Sequence, residues 1–209
     1  MANRMPLIND KYKICIICEG KEEYKYLDRL YHLGVWNSQY ELTLINADGN
    51  GNITARYQDR YQNGSDDVVL IFCDTEKKPY KQYEEIKSNI NRFHGSYSAA
   101  SVVIIFANPC TMQIVIKHWT DELIKSPAKP INAPLIETCT GVANYKGRDD
   151  QVNIIMEKIT AVNYEEMRGR IEALSDVDTD TGSTNFIKLV SWMESDSTEW
   201  IDKINETLE

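Results

Sequence analysis

Apolar and polar positions along the first 125 residues switch repeatedly between two periods. Residues 12–18, YKICIIC, are a short β-branched run that predicts a strand. Residues 21–32 follow with Tyr24, Leu27, Leu30 and Tyr31 on one side, the spacing of an amphipathic helix. Residues 40–46, YELTLIN, alternate and predict a second strand. The turn-rich ADGNGN comes next, then a helical pattern over 52–62. The continuous apolar run 67–73, DVVLIFC, fits a strand covered on both faces. Pro79 stands where a helix can start, and 79–93 has helical spacing. Residues 101–106, SVVIIF, predict a fourth buried strand, and 110–125 a further helix.

Strand and helix in strict alternation predict an α/β fold: a Rossmann-like, mostly parallel four-stranded sheet flanked by helices. That unit is expected to occupy residues 1–125. Residues 126–150 contain Pro127, Pro130, Pro134, Gly141 and Gly147, so an irregular connection is expected there. Helical patterns return at about 152–161, 163–174, 184–193 and 197–208. They predict a helical C-terminal portion, residues 151–209, packed on or beside the sheet.

Composition adds limits. With 42% apolar residues the chain can bury a sizeable core, and 26% charged residues is ordinary for a soluble domain. No apolar run approaches the roughly 20 residues that span a bilayer, so no membrane partner is expected. The opening MANRMPLIND lacks the apolar centre of a signal peptide. Five cysteines, an odd number, then read as reduced thiols of a cytoplasmic protein. The net charge of −9 argues at first against a polyanionic partner. The charge is uneven, however. Residues 149–209 hold 15 acidic and 5 basic side chains, and residues 1–148 hold 17 and 18. The acidity belongs to the helical third, and charge alone neither supports nor excludes nucleic acid.

In open α/β sheets ligands bind beyond the carboxyl ends of the strands. Strand one ends at Glu19, strand three at Asp74-Thr75-Glu76, and strand four at Asn108-Pro109-Cys110. Asp74 and Glu76 are two apart, which in extended chain points them the same way. Glu23, in the first turn of the next helix, lies near the same edge. Carboxylates gathered at one edge repel unless cations share it. Hard oxygen donors favour Mg²⁺, Mn²⁺ or Ca²⁺ over zinc. Glu19, Glu23, Asp74 and Glu76 are therefore candidate metal ligands. Glu22 and Glu23 also fit a plainer role, complementing the helix dipole. Lys77 and Lys78 directly follow the acids and are candidates to meet phosphate, or else belong to a solvated face.

At these residues the chain resembles a family. EGKEEYKYL (19–27) is similar to the E-G-x-x-E-x-x-Y-[FL] segment of RloB-like proteins, members of the wider TOPRIM group. VVLIFCDTEKKP (68–79) resembles the strand that carries their D-x-D pair. VVIIFANPCTMQIVIKHW (102–119) resembles their S-N-P-C-F-E-x-W-L-L-x-H-[FW] segment, and STNFIKLVSWME (183–194) their closing helix. The likeness covers nearly the whole chain in the same order. It departs at Glu76, where the second aspartate is expected, at Met112 for glutamate, at Ile114 for tryptophan and at Ala107 for serine. Asn108, Pro109, Cys110 and His118 match.

The resemblance implies a TOPRIM-type fold and Mg²⁺- or Mn²⁺-dependent phosphodiester cleavage of DNA or RNA, in restriction or phage defence with abortive infection. It implies that Glu19 and Asp74 are catalytic, with Glu19 moving a proton and Asp74 and Glu76 holding the cation. Asn108 and His118 then join Lys77 and Lys78 as substrate contacts. A homo-oligomer, or a protein partner from a defence locus, is compatible with this reading. Two other readings stand beside it. One is a catalytically inactive TOPRIM-fold binding or regulatory module, favoured by Met112 and Glu76. The other is a receiver-like domain with Asp74 as phosphoacceptor, which leaves Glu19 unexplained.

Three weaker signals carry no function. Cys15-x-x-Cys18 lacks the second pair of a zinc site. The glycines of DGNGN lack the lysine-threonine pair of a phosphate loop. Asp176, Asp178 and Asp180 begin like an EF-hand, but Thr181 replaces its glycine and Ile187 its final glutamate.

Overall fold

The structure is a computed structural model that describes residues 11–209. Four strands form one all-parallel sheet in the order β2-β1-β3-β4. These are β1 (Tyr12–Cys18), β2 (Tyr40–Asn46), β3 (Val68–Asp74) and β4 (Ile104–Ala107). Helices α1 (Lys21–Leu33), α2 (Asn50–Asn63) and α3 (Lys81–His94) connect them. The α/β class and the parallel sheet agree with the alternating pattern. Ile14 to Cys18 and Val68 to Cys73 are all buried, as expected of strands covered on both faces.

The order fixes where a ligand can sit. From β1 the chain moves outward through α1 to β2, then passes back across β1 through α2 to β3. The direction of winding reverses between β1 and β3, and right-handed crossovers put α1 and α2 on opposite faces. On the α1 face, Phe72 of β3 meets Phe186, which meets Tyr26 of α1, with ring centroids 5.4 and 5.6 Å apart. Elsewhere, Tyr57 of α2 packs edge-on against Phe93 of α3.

Three expectations about elements need correction. Residues 101–106 are not all strand. A short helix, α4 (Ala99–Val103), precedes β4, so Val102 and Val103 are helical despite their β-branching. Residues 110–125 are not one helix. A single turn, α5 (Met112–Val115), passes into a 3-10 turn that ends at His118. Side chains then hold the loop that follows. The Lys117 ammonium donates to the carbonyls of Asp121 and Glu122 at 2.7 and 2.9 Å, and Gln113 Oε1 accepts from the Ile124 amide at 2.7 Å. Such bonds offer the backbone an alternative to the helical ladder, and β-branched Ile114-Val115-Ile116 is a weak helix former.

The third correction is the 126–150 connection, which contains a helix, α6 (Lys129–Thr140). Pro130 falls in its first turn, where an amide hydrogen has no intrahelical partner anyway. Pro134 gives up one ladder bond, and Gly141 ends the helix in the left-handed region.

The C-terminal portion is α7 (Asp149–Glu157), α8 (Ala161–Glu172), α9 (Phe186–Glu194) and α10 (Glu199–Leu208). It packs directly on the sheet unit. Thr184 bridges Ala107 in antiparallel fashion, and the Asn185 side chain accepts from the Phe106 amide at 2.7 Å and donates to the Ile104 carbonyl at 2.8 Å. The free edge of β4 is thereby covered by side chain and backbone. Among the described residues no helix is long and apolar enough to cross a membrane. All five cysteines are free thiols.

Candidate metal centre

The cleft at the carboxyl ends of β1 and β3 has a volume of about 270 Å³. Glu19 follows β1 directly, and its amide still donates to the Phe72 carbonyl at 3.0 Å, so its backbone is held by β3. Its carboxylate Oε2 in turn accepts the Asp74 amide at 2.9 Å. Asp74 closes β3. The amide and hydroxyl of Thr111 both donate to its Oδ1, at 2.7 and 2.8 Å. Those bonds leave Oδ2 of Asp74 and Oε1 of Glu19 without a hydrogen-bond partner among the described residues.

Glu76 reaches the same point by an unexpected route. Extended chain was expected to align it with Asp74, but the strand has already ended. The Thr75 amide donates to the Ala107 carbonyl and the Glu76 amide to that of Pro109, at 3.0 and 3.1 Å. Glu76 itself adopts φ +62°, the left-handed region that non-glycine residues seldom occupy. The result is that one carboxylate oxygen from each of Glu19, Asp74 and Glu76 lies within 4.8 Å of the others.

Electrostatics marks these three, and Glu23 beside them, which burial also raises. Burial, then the charge of Glu23, pushes the Glu19 carboxyl up to about 8. Burial and the charges of Glu23 and Glu19 raise Asp74 well above the usual carboxylate range. Burial also raises Glu76, against the pull of Lys129. Desolvation and mutual repulsion are what a cation of charge two would relieve. The donor set suits such an ion: three carboxylates, hard oxygen donors without sulfur or nitrogen. Thr75 adds a hydroxyl, between Asp74 and Glu76 in the chain, that is fully buried and has no partner among the described residues. The residues present could therefore hold a metal ion of the hard, oxygen-preferring kind.

The other candidates divide. Glu23 is on the cleft wall and buried, but its Oε2 accepts the Gly20 amide at 2.8 Å, so it also caps α1. Glu23 thus stands on the acidic wall but outside the cluster of three carboxylates. Lys77 and Lys78 are exposed and do not line the cleft. Asn108 is buried away from it, its amide nitrogen donating to Tyr80 Oη at 3.2 Å and the Asp178 carbonyl at 2.6 Å. His118 is fully buried between Tyr26 Oη and Asn163, each 3.1 Å away. Burial pushes it down to about 4, so the ring is neutral and ties α1 to α8. Met112 is buried and outside the cleft lining as well.

Sequence reasoning gave no site role to the cleft residues Lys21, Lys129 and Gly147, and for Glu22 named only the role of helix-start charge. Lys129 forms an ion pair with Glu22. Gly147, at φ +70°, lets the loop pass over that pair: a Cβ there would collide with Lys129 Nζ and Glu22 Oε1. Pro130 at the second position of a helix was the signal that could have placed Lys129 at an ordered helix start. Comparison with protein families, with curated proteins and with solved structures found no match to this chain.

Proposed function

We propose that this protein is a Mg²⁺- or Mn²⁺-dependent nuclease of TOPRIM type that cleaves phosphodiester bonds in DNA or RNA. The observation that carries the reading is the convergence of Glu19, Asp74 and Glu76 within 4.8 Å at the switch point of a parallel sheet. A bound divalent cation supplies neutralisation of the charge that develops during phosphoryl transfer. Asp74 and Glu76 hold that cation, and Thr111 keeps the Asp74 carboxylate aimed. Glu19, fixed through Oε2 by the Asp74 amide, exchanges a proton with the attacking or leaving oxygen through Oε1. The resemblance to RloB-like proteins adds the setting, phage defence in the cytoplasm, where the five thiols stay reduced.

The test is cleavage of supercoiled DNA, single-stranded DNA and RNA with Mg²⁺ or Mn²⁺. Activity should fall at least about a hundredfold in Glu19→Gln and in Asp74→Asn, the usual scale for an acid–base group. Parent-level cleavage by both variants rules the reading out. A folded parent that binds the cation yet cuts none of these substrates favours the inactive module instead.

A further inference from the structure

Five carboxylates, from Glu19, Glu22, Glu23, Asp74 and Glu76, line one small cleft. One divalent cation offsets two formal negative charges. A phosphate group entering the cleft brings more, which an ammonium at the cleft would offset. Two ammonium groups line the cleft, those of Lys21 and Lys129. Lys21 points to the outside, 60% exposed and paired with Asp149 at 3.0 Å. Lys129 points inward to Glu22, whose side chain is only 10% exposed, while Lys129 itself is 43% exposed. Its Nζ also lies 5.9 Å from the centre of the Tyr145 ring. The Gly147 backbone passes over the pair where any side chain would collide. This is a shaped seat for an ammonium, open to the cleft on one side.

Resting on the phosphodiester reading, we propose that Lys129 is the substrate-binding ammonium of this cleft. It grips a phosphate oxygen of the substrate, and Glu22 is the carboxylate that holds it while no substrate is bound. The exchange is chemically even. Carboxylate and phosphate both present anionic oxygens to an ammonium, and the flexible lysine stem lets the charge turn from one to the other.

The probe is inorganic pyrophosphate, titrated calorimetrically at a fixed excess of Mg²⁺ on the parent, Lys129→Met, Lys129→Arg and Glu22→Gln. Titration of Mg²⁺ alone, with and without Asp74→Asn, tests the metal reading separately. Lys129→Met should weaken pyrophosphate binding about tenfold, the value of one charged hydrogen bond, and leave Mg²⁺ affinity within about threefold. Lys129→Arg should recover most of the loss. Glu22→Gln should tighten pyrophosphate binding, because the competitor for Lys129 is gone. Unchanged pyrophosphate binding in Lys129→Met, or no binding by the parent, overturns the proposal. So does equal weakening in Lys129→Met and Glu22→Gln, which marks a merely structural ion pair. If the parent binds no Mg²⁺, the metal reading fails. Pyrophosphate titrated without Mg²⁺ into the parent and into Lys129→Met then decides Lys129 by the same tenfold criterion.

Discussion

Thr111 gives both its amide and its hydroxyl to one oxygen of Asp74. The carboxylate cannot rotate without losing both bonds, so its other oxygen is held at the cleft. Outer partners of this kind are worth about 10- to 100-fold in metal affinity. Thr111→Val keeps the amide bond and the shape but removes the hydroxyl. It should weaken Mn²⁺ binding by about tenfold, read by calorimetry, while thermal unfolding of the metal-free protein shifts little. Unchanged Mn²⁺ affinity would mean that the amide alone fixes Asp74. Residues such as Glu19, Asp74 and Glu76 were legible in the sequence because each stands beside a strand end, a local pattern. Lys129 and Gly147 were not, because they reach Glu22 only through the tertiary fold, 107 residues from Glu22 in the case of Lys129. His118 matched a family segment, but nothing local disclosed that Tyr26 and Asn163 would enclose it.

The first three strands and the helices between them follow periodicity, since buried parallel strands read as apolar runs. The elements that escaped have specific causes. The 110–125 segment has a helical pattern, but Lys117 and Gln113 bond the loop backbone and hold it open. Helix α6 was hidden by its prolines, which sit where a helix tolerates them at modest loss. Helix α8 was legible, and its start is well made. Thr160 Oγ1 accepts the Asn163 amide at 3.3 Å, and Asn163 Oδ1 accepts the Thr160 amide at 2.8 Å. The same Asn163 holds His118. Thr160→Ala should therefore lower stability by about 1 kcal/mol, read from urea unfolding. A loss well under that would show that the cap is redundant with the packing of α8 on the turn at His118.

For the molecule as a whole, the fold gathers acidic side chains at the crevice where the direction of winding reverses. The metal-free protein is thereby sensitive to pH. The Glu19 carboxyl is pushed from an ordinary 4.5 to about 8 in the fold. Between those values the folded chain keeps a proton that the unfolded chain has released. Stability attributable to Glu19 is thus full below 4.5 and is lost as pH rises toward 8. His118 acts oppositely, since its folded value of about 4 lies below the ordinary 6.5. Its contribution grows with pH up to 6.5 and is then constant. Above pH 6.5 the fall due to the carboxyls is unopposed by His118. Urea unfolding with chelator present should show lower stability at pH 8 than at pH 6.5, and Glu19→Gln should flatten that slope. A pH-independent midpoint in the parent would contradict the crowding of acids at the crevice.

The central claim is that this crevice binds a divalent cation through Asp74 and its neighbours. Calorimetric titration of Mn²⁺ at pH 8 into the parent and into Asp74→Asn tests it most directly. One saturable site is expected in the parent, with protons released as the acids ionise, and loss of that site in the variant. No binding in the parent, or binding of equal strength in Asp74→Asn, would contradict it.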